Sequence, residues 1–111
     1  MSRKSNITER EAAMMNNLRP IHPGEILRGE LEEMGFSARA MAKALRVPVN
    51  RITAILNEKR AVTADTALRL ARFFGGTPEF WLNLQSAYEL RRTRLEAGKK
   101  IDREVRPRRA A

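Results

Sequence analysis

The chain has 111 residues, no cysteine, one histidine and a formal net charge of +9. This length suits a single domain and excludes a second, catalytic one, while the absence of cysteine excludes disulfides and thiolate chemistry. One histidine is too few for a typical zinc site, and no apolar run is long enough for a membrane span, so we expect a cytoplasmic protein without metal or cofactor.

The first part of the chain is polar. Residues 1–19 contain Thr8 and Glu11 at the spacing of a capping box, but we expect this segment to be a weakly ordered, flexible arm. The first secure helix is predicted from Pro23, whose fixed φ suits the first helical position, to near Gly35. Its polar face carries four acidic side chains, Glu25, Glu30, Glu32 and Glu33.

Two short helices are predicted next. Ser37 is placed to cap a helix that ends near Leu45, because Pro48 removes a backbone donor and makes Val47 extended. A tight turn follows, and the third helix is predicted over residues 49–56.

Two further helices complete the predicted domain. Thr63 is expected to cap the fourth helix, which stops at Gly75, and Pro78 is expected to begin the fifth. Beyond the fifth helix the composition is strongly basic and contains Gly98 and Pro107, so residues 97–111 are predicted to form a mobile basic tail. No segment alternates as a half-buried strand does. The fold is therefore predicted to be all-α, with its domain at residues 20–96.

The positive charge lies in two blocks. Residues 37–60 carry six Lys/Arg against one Glu, and residues 91–111 carry nine Lys/Arg against three carboxylates. A solvated surface usually mixes its signs, so the two blocks indicate regions that face a polyanion. The alternative is charge that only keeps the chain soluble.

The first basic block, residues 37–60, has the residue types of a helix-turn-helix unit. The small Ala42 lets two helices pack closely, and apolar side chains lock them at a fixed angle: Met41, Leu45, Val47, Ile52 and Ile55. The start of the third helix is then left exposed, where it can reach the edges of DNA bases.

Residues 20–90 resemble the HigA-type antitoxins, a branch of the Xre/Cro-like, lambda-repressor-like helix-turn-helix proteins. The segments that carry the resemblance are HPGEIL at 22–27, the helix-turn-helix, RITAIL and KR within 51–60, TADTALRLARFFG at 63–75 and TPEFWLNLQSAYEL at 77–90. The resemblance implies a five-helix lambda-repressor-like domain. Two positions depart from the family pattern, because Arg46 and Glu58 stand where the family often has glycine, which suits a positive φ.

By position, the resemblance implies two groups of DNA-binding residues. The base-reading group is Pro48, Val49, Asn50, Arg51, Thr53 and Ala54. In this group, Asn50 can pair with adenine and Arg51 with guanine. The phosphate-binding group is Arg39, Lys43, Asn57, Lys59 and Arg60.

A dimer is expected, because one recognition helix reads too few base pairs for specific binding. The two copies would bind a palindromic operator through the major groove. The candidate dimerisation residues lie in the fifth helix and include most of its aromatic side chains: Phe80, Trp81, Leu84 and Tyr88. The alternative is that these side chains close the core of the monomer.

The resemblance implies an antitoxin that neutralises a HigB/RelE-like RNA-cleaving toxin and represses its own operon. A free-standing Xre-family transcriptional regulator without a toxin is the alternative. Because the RNA-cleaving surface of a toxin should be basic, the acidic residues of the first helix are the candidate toxin-binding side chains, Glu25, Glu30, Glu32 and Glu33. The basic tail would then contact DNA backbone.

Two other classes of function are weighed against this interpretation. His22 and Glu25 lie three residues apart and are the best candidates for catalytic side chains. His22 before Pro23 is better explained as a residue that starts a helix, so no enzyme is expected. A nonspecific nucleoid-type binder is the other alternative. A specific repressor would prefer its operator over unrelated DNA by roughly a thousandfold or more.

Overall fold

The computed structural model describes residues 19–109, and within that range it contains helices and connecting loops but no strand. The five helices are α1 (Pro23–Met34), α2 (Ala38–Leu45), α3 (Val49–Leu56), α4 (Ala64–Phe74) and α5 (Pro78–Glu104). The predicted all-α, five-helix fold is therefore confirmed. The predicted N-terminal arm, apart from Arg19, lies outside the described residues. None of the five helices combines the length and apolar character needed to cross a membrane.

The helices begin and end at residues whose side chains suit those positions. His22 caps α1, because its Nδ1 accepts a hydrogen bond of 2.9 Å from the Gly24 backbone N–H. Ser37 caps α2 and Thr77 caps α5 through the same kind of bond, at 3.0 and 3.3 Å. Thr63 is the N-cap residue of α4 as predicted, but its side chain makes no capping bond to the backbone.

The core is formed by the apolar faces of all five helices. α3 packs against α1 and α2, α5 packs against α4 and α1, and α2 packs against α4. Burying each large aliphatic side chain contributes roughly 1.5–3 kcal/mol. The core includes Ile21, Leu27, Met41, Leu45, Ile52, Ile55, Leu70, Trp81 and Leu84.

The two positions that depart from the family pattern do adopt a left-handed backbone. The φ of Arg46, which ends α2, is 62°, and the φ of Glu58, which follows α3, is 61°. At Arg46 this conformation lets the Val47 N–H bond the Ala42 carbonyl at 3.0 Å, which closes the turn before α3. A residue other than glycine costs about 1–2 kcal/mol in this conformation. The turn is therefore built as predicted, with some backbone strain.

The predicted mobile tail from residue 97 is wrong over its first part, because α5 continues to Glu104. Two ion pairs at i,i+4 spacing support this extension, Arg92 with Glu96 at 2.9 Å and Lys100 with Glu104 at 3.8 Å. A single glycine costs a helix only about 1 kcal/mol relative to alanine, so Gly98 does not end it. The helix ends before Pro107.

The aromatic part of α5 mainly closes the monomer core, which corrects the assignment of Trp81 and Leu84 to a dimer interface. Trp81 and Leu84 are 4% and 3% exposed. The physical reason is that the first turns of α5 lie across α4, so that the Trp81 ring lies 6.1 Å from that of Phe74. Phe80 and Tyr88 are half-buried. Of the four predicted dimerisation residues, only these two keep accessible surface in the monomer.

The acidic face of α1 is smaller than predicted. Glu30 is only 5% exposed, so it cannot be a contact for a toxin. It follows Ile26 by four residues and Leu27 by three, and helical periodicity places all three on the buried face. Glu32 and Glu33 are exposed as predicted. Glu25 bonds the Arg19 guanidinium at 2.7 Å, and this contact lowers the pKa of its carboxyl group.

Candidate nucleic-acid interface

The beginning of α3 is the most open part of the helix-turn-helix unit. Pro48 and Asn50 are exposed and Val49 is 37% exposed, while Ile52 and Ile55 on the opposite face are fully buried. No side chain caps the first turn of α3, so its free N–H groups and positive dipole end face outward. This arrangement suits a negatively charged, hydrogen-bonding partner.

The second turn of α3 is less accessible. Thr53 and Ala54 are half-buried, and the Thr53 hydroxyl donates to the Asn50 carbonyl at 3.3 Å. Their exposed edges lie on the same side as Asn50, one turn further along the helix. These residues offer a methyl group and a hydroxyl beside the Asn50 amide, which is the most open polar side chain of the helix.

Arg51 is tied to α4 and does not extend freely from α3. Its Nη1 lies 2.6 Å from Asp65 Oδ2, in contrast to the open position expected of a residue that reads guanine. The same carboxylate oxygen accepts from Arg69 Nε at 2.9 Å, and Arg69 Nη1 donates to the Leu45 carbonyl at 3.0 Å. Arg69 first and Arg51 second lower the pKa of Asp65. This network links the ends of α2 and α3 through α4.

The predicted phosphate-binding residues lie on α2 and in the loop after α3. All five are exposed: Arg39 and Lys43 on α2, and Asn57, Lys59 and Arg60 in the loop. Gln85 of α5 fixes this loop, because its Oε1 accepts a hydrogen bond from the Val62 N–H at 2.9 Å. The structure thus keeps five polar or cationic side chains in solvent on a fixed backbone.

Gly24 sets how closely α1 approaches the recognition helix. A Cβ at this position would lie 1.9 Å from the Ile55 carbonyl oxygen, so only glycine fits the contact. Arg28, one turn further along α1, donates from Nη2 to the Leu56 carbonyl at 3.0 Å. Together the two residues hold α1 against the carboxyl end of α3. The sequence carried one signal of this contact, a glycine in the first turn of a helix.

Comparison with known proteins agrees with this geometry. Residues 27–82 match the helix-turn-helix family. Virulence-associated protein I of Dichelobacter nodosus is 58% identical over 77 residues, which cover 68% of this chain and 71% of that protein. A solved HigA-family addiction module antidote protein from Coxiella burnetii is 60% identical, with a TM-score of 0.78, over 81% of this chain and 99% of that one. The chain belongs to the HigA family of helix-turn-helix proteins.

A second HigA structure was solved with DNA. Pseudomonas aeruginosa antitoxin HigA, with the higBA promoter, is 47% identical and has a TM-score of 0.77, over 80% of this chain and 98% of that one. The resemblance predicted from the sequence is therefore confirmed, both at the level of the family and at the level of its HigA branch.

In this HigA-family chain His22 has a structural position. It is 3% exposed, its ring packs edge-on against Tyr88 at 4.9 Å, and it bonds the backbone of Gly24. Glu25 bonds Arg19 instead, so the two side chains weighed as catalytic partners do not form a common site. Burial lowers the pKa of His22, although Glu58, Glu89 and a hydrogen bond with the Arg60 backbone oppose the shift.

The lowered pKa of His22 predicts a loss of stability in mild acid. Because the folded state favours the neutral ring, its contribution is complete above the unfolded pKa near 6.5 and is lost as the pH falls below that value. We expect the free energy of unfolding, measured by urea titration, to decrease between pH 7.5 and pH 5. His22→Asn, which keeps a capping acceptor, should flatten this decrease. An equally steep decrease in the variant would contradict the assignment, since the chain has no other histidine.

Proposed function

We propose that this chain binds operator DNA as a homodimer, with α3 of each copy in the major groove. The observation that carries the proposal is the open start of α3, where Asn50 is exposed beside a free helix N-terminus. In the proposed complex Asn50 reads adenine, and Pro48, Val49, Thr53 and Ala54 contact the neighbouring base edges and thymine methyl groups. The promoter complex of the 47% identical relative supports this orientation.

The exposed cations and amide around α3 hold the DNA backbone in this proposal. Lys59 and Arg60 follow α3, and Arg39 and Lys43 lie on α2, so the elements before and after α3 both offer exposed cations to phosphates. Such contacts fix position and orientation without reading sequence. Arg51 is assigned a supporting role, since contact with a base would require it to leave Asp65.

The dimer follows from the amount of sequence that one helix can read. Two recognition helices related by a twofold axis would bind half-sites about 34 Å apart on a palindrome. The half-buried rings of Phe80 and Tyr88 remain candidates for the interface, and Trp81 and Leu84 support them from the core.

We further propose that the chain is an antitoxin, which neutralises a HigB/RelE-like RNA-cleaving toxin and represses the shared operon. The relatives named as HigA antitoxins or antidotes support this role. Glu32 and Glu33 form the exposed acidic patch that would face a basic toxin. Their replacement by lysine should weaken binding to the toxin at low salt, and unchanged affinity would exclude this patch.

The test combines DNA binding with isolation of a partner. Fluorescence anisotropy should give at least a thousandfold preference for the DNA upstream of the gene over unrelated duplex. Co-expression with the neighbouring small gene should yield a stable complex that removes the partner's RNA-cleaving activity. Operator binding without any such partner would leave the free-standing regulator as the function, and equal affinity for both DNAs would contradict specific repression.

A further inference from the structure

The carboxyl-terminal half of α5 is a rigid, strongly basic extension of the domain. Residues 91–104 are helical, and most of their side chains are exposed. Arg92 and Lys100 are paired with Glu96 and Glu104. The described residues contain no ion pair for the remaining cations of residues 91–109, which are Arg91, Arg94, Lys99, Arg103, Arg106, Arg108 and Arg109. The net charge of this segment is therefore not neutralised by the other residues that the structure describes.

Part of this charge forms a stripe along one face of α5. Gln85, Arg92, Lys99 and Arg103 follow one another at intervals of seven, seven and four residues, which places them on one side of a helix. Glu89 and Glu96 lie on the same side and Glu96 pairs with Arg92, so the unpaired positive charge of this face begins at Lys99. Gln85 is fixed to the loop after α3 by its bond to the Val62 N–H. The Arg92, Lys99 and Arg103 side chains, named here the basic stripe, thus continue the helix face that meets this loop.

The basic stripe begins beside the proposed phosphate-binding loop. Lys59, Arg60 and Arg92 line one open groove of about 350 Å³, together with the carboxylates of Glu58, Glu89 and Glu96 and the side chains of Gln85 and Tyr88. Arg92 is held there by a hydrogen bond of 3.2 Å to the Tyr88 hydroxyl. From Gln85 the helix extends about 27 Å to Arg103, at 1.5 Å per residue. Successive phosphates of one DNA strand rise about 3.4 Å along the duplex axis, so a helix of this length spans several base pairs.

We propose that the basic stripe is a second DNA-backbone contact, which binds phosphates flanking the half-site read by α3. The proposal rests on the proposed operator binding and extends it beyond the helix-turn-helix unit. A second copy of the same helix is a poor partner for the stripe, because two segments of equal positive charge repel each other. A phosphate backbone offers negative charges at regular spacing and requires no particular base sequence.

The experiment compares two variants that lose the same charge. Lys99→Gln with Arg103→Gln removes two charges from the stripe, and Arg91→Gln with Arg94→Gln removes two charges from other faces of the same helix. Glutamine is a good helix former, so α5 should persist, which circular dichroism can check. Dissociation constants are measured for each protein between 50 and 200 mM salt, with operator and with unrelated duplex that both extend ten base pairs past the half-sites.

The stripe variant is expected to lower the slope of log affinity against log salt by roughly 3 to 4 for a dimer, at about 0.9 per lost phosphate contact. The same loss should occur on both DNAs, and the control variant should change the slope by less than about 1. Equal effects of the two variants, or no effect of either, would overturn the proposal. Loss of binding to the protein partner without a change in DNA affinity would also overturn it.

Different results would contradict specific operator binding and the second DNA-backbone contact. Wild-type protein that binds operator and unrelated duplex equally contradicts specific repression, but the stripe variant must still lose affinity for both. Wild-type protein that prefers its operator, with a stripe variant of unchanged salt slope, contradicts only the second contact.

Discussion

Replacing Gly24 by alanine is expected to lower the free energy of unfolding by about 3 kcal/mol, at the upper end of the usual cost of overpacking. The new Cβ would lie 1.9 Å from the Ile55 carbonyl oxygen, a backbone atom that cannot rotate away. α1 would have to move off α3, which weakens the packing that positions the recognition helix. For a domain of this size Tm should fall by roughly 10–25 °C, measured by circular dichroism.

Gly29 provides the matched control for this prediction. It lies in the interior of the same helix, and a Cβ added there would have no neighbouring atom within 4 Å. Gly29→Ala should therefore raise the free energy of unfolding by about 0.5–1 kcal/mol through helix propensity alone. Opposite signs for the two substitutions are expected. A Tm for Gly24→Ala at or above that of the wild type would show that α1 can shift without cost.

Replacing Asn50 by alanine is expected to weaken operator binding by at least about 30-fold. A bidentate contact between an amide and adenine discriminates by about 1–3 kcal/mol, and a dimer makes two such contacts. Because the Asn50 side chain is exposed and supports no other element, the thermal unfolding of the free protein should not change. Affinity for unrelated duplex should also remain. Unchanged operator affinity in an anisotropy titration would remove Asn50 from the base-reading group.

Variants of Arg51 and Asp65 can distinguish whether Arg51 reads a base or supports the fold. If Arg51 acts by pairing with Asp65, then Arg51→Ala should weaken operator binding, and Asp65→Ala, which also frees Arg69, should weaken it at least as much. The double variant should add little to Asp65→Ala alone. A loss of sequence preference for Arg51→Ala, with normal preference for Asp65→Ala, would instead restore Arg51 to the guanine-reading role predicted from the sequence. Both measurements use the same operator titration.

The course of the helices was predictable because local signals control where a helix starts and stops. Ser37 and Thr77 lie at helix starts, where their side chains accept from a free N–H group. Pro23 has the φ that suits the first helical position, and Gly35 ends α1 with a φ of 71°. The end of α5 was not predictable in this way. Gly98 resembled a helix breaker, but ion pairs one turn apart on both sides of it favour the helix.

The residues of the candidate interface were predictable as a group, because the spacing of the buried Ile52 and Ile55 fixes which side of α3 faces solvent. Their individual roles were not. Arg51 has the charge and position of a base-reading residue, but Asp65 lies fourteen residues further along the chain and reaches it only after α4 packs beside α3. Glu30 is also a polar residue, yet its position on α1 places it against the core.

Local patterns along the chain were enough to predict the all-α, helix-turn-helix fold. The helix signals, apolar periodicity and basic block at residues 37–60 depend on neighbours within one or two turns, so they can be read along the chain. The role of each part became clear from the three-dimensional fold, because the contacts concerned join residues far apart in sequence. The fold placed Trp81 in the core, tied Arg51 to Asp65, and showed that α1 reaches α3 because Gly24 has no side chain. It also showed that the helix α5 extends into the second basic block, so these positive charges lie on a rigid helix and not on a mobile tail.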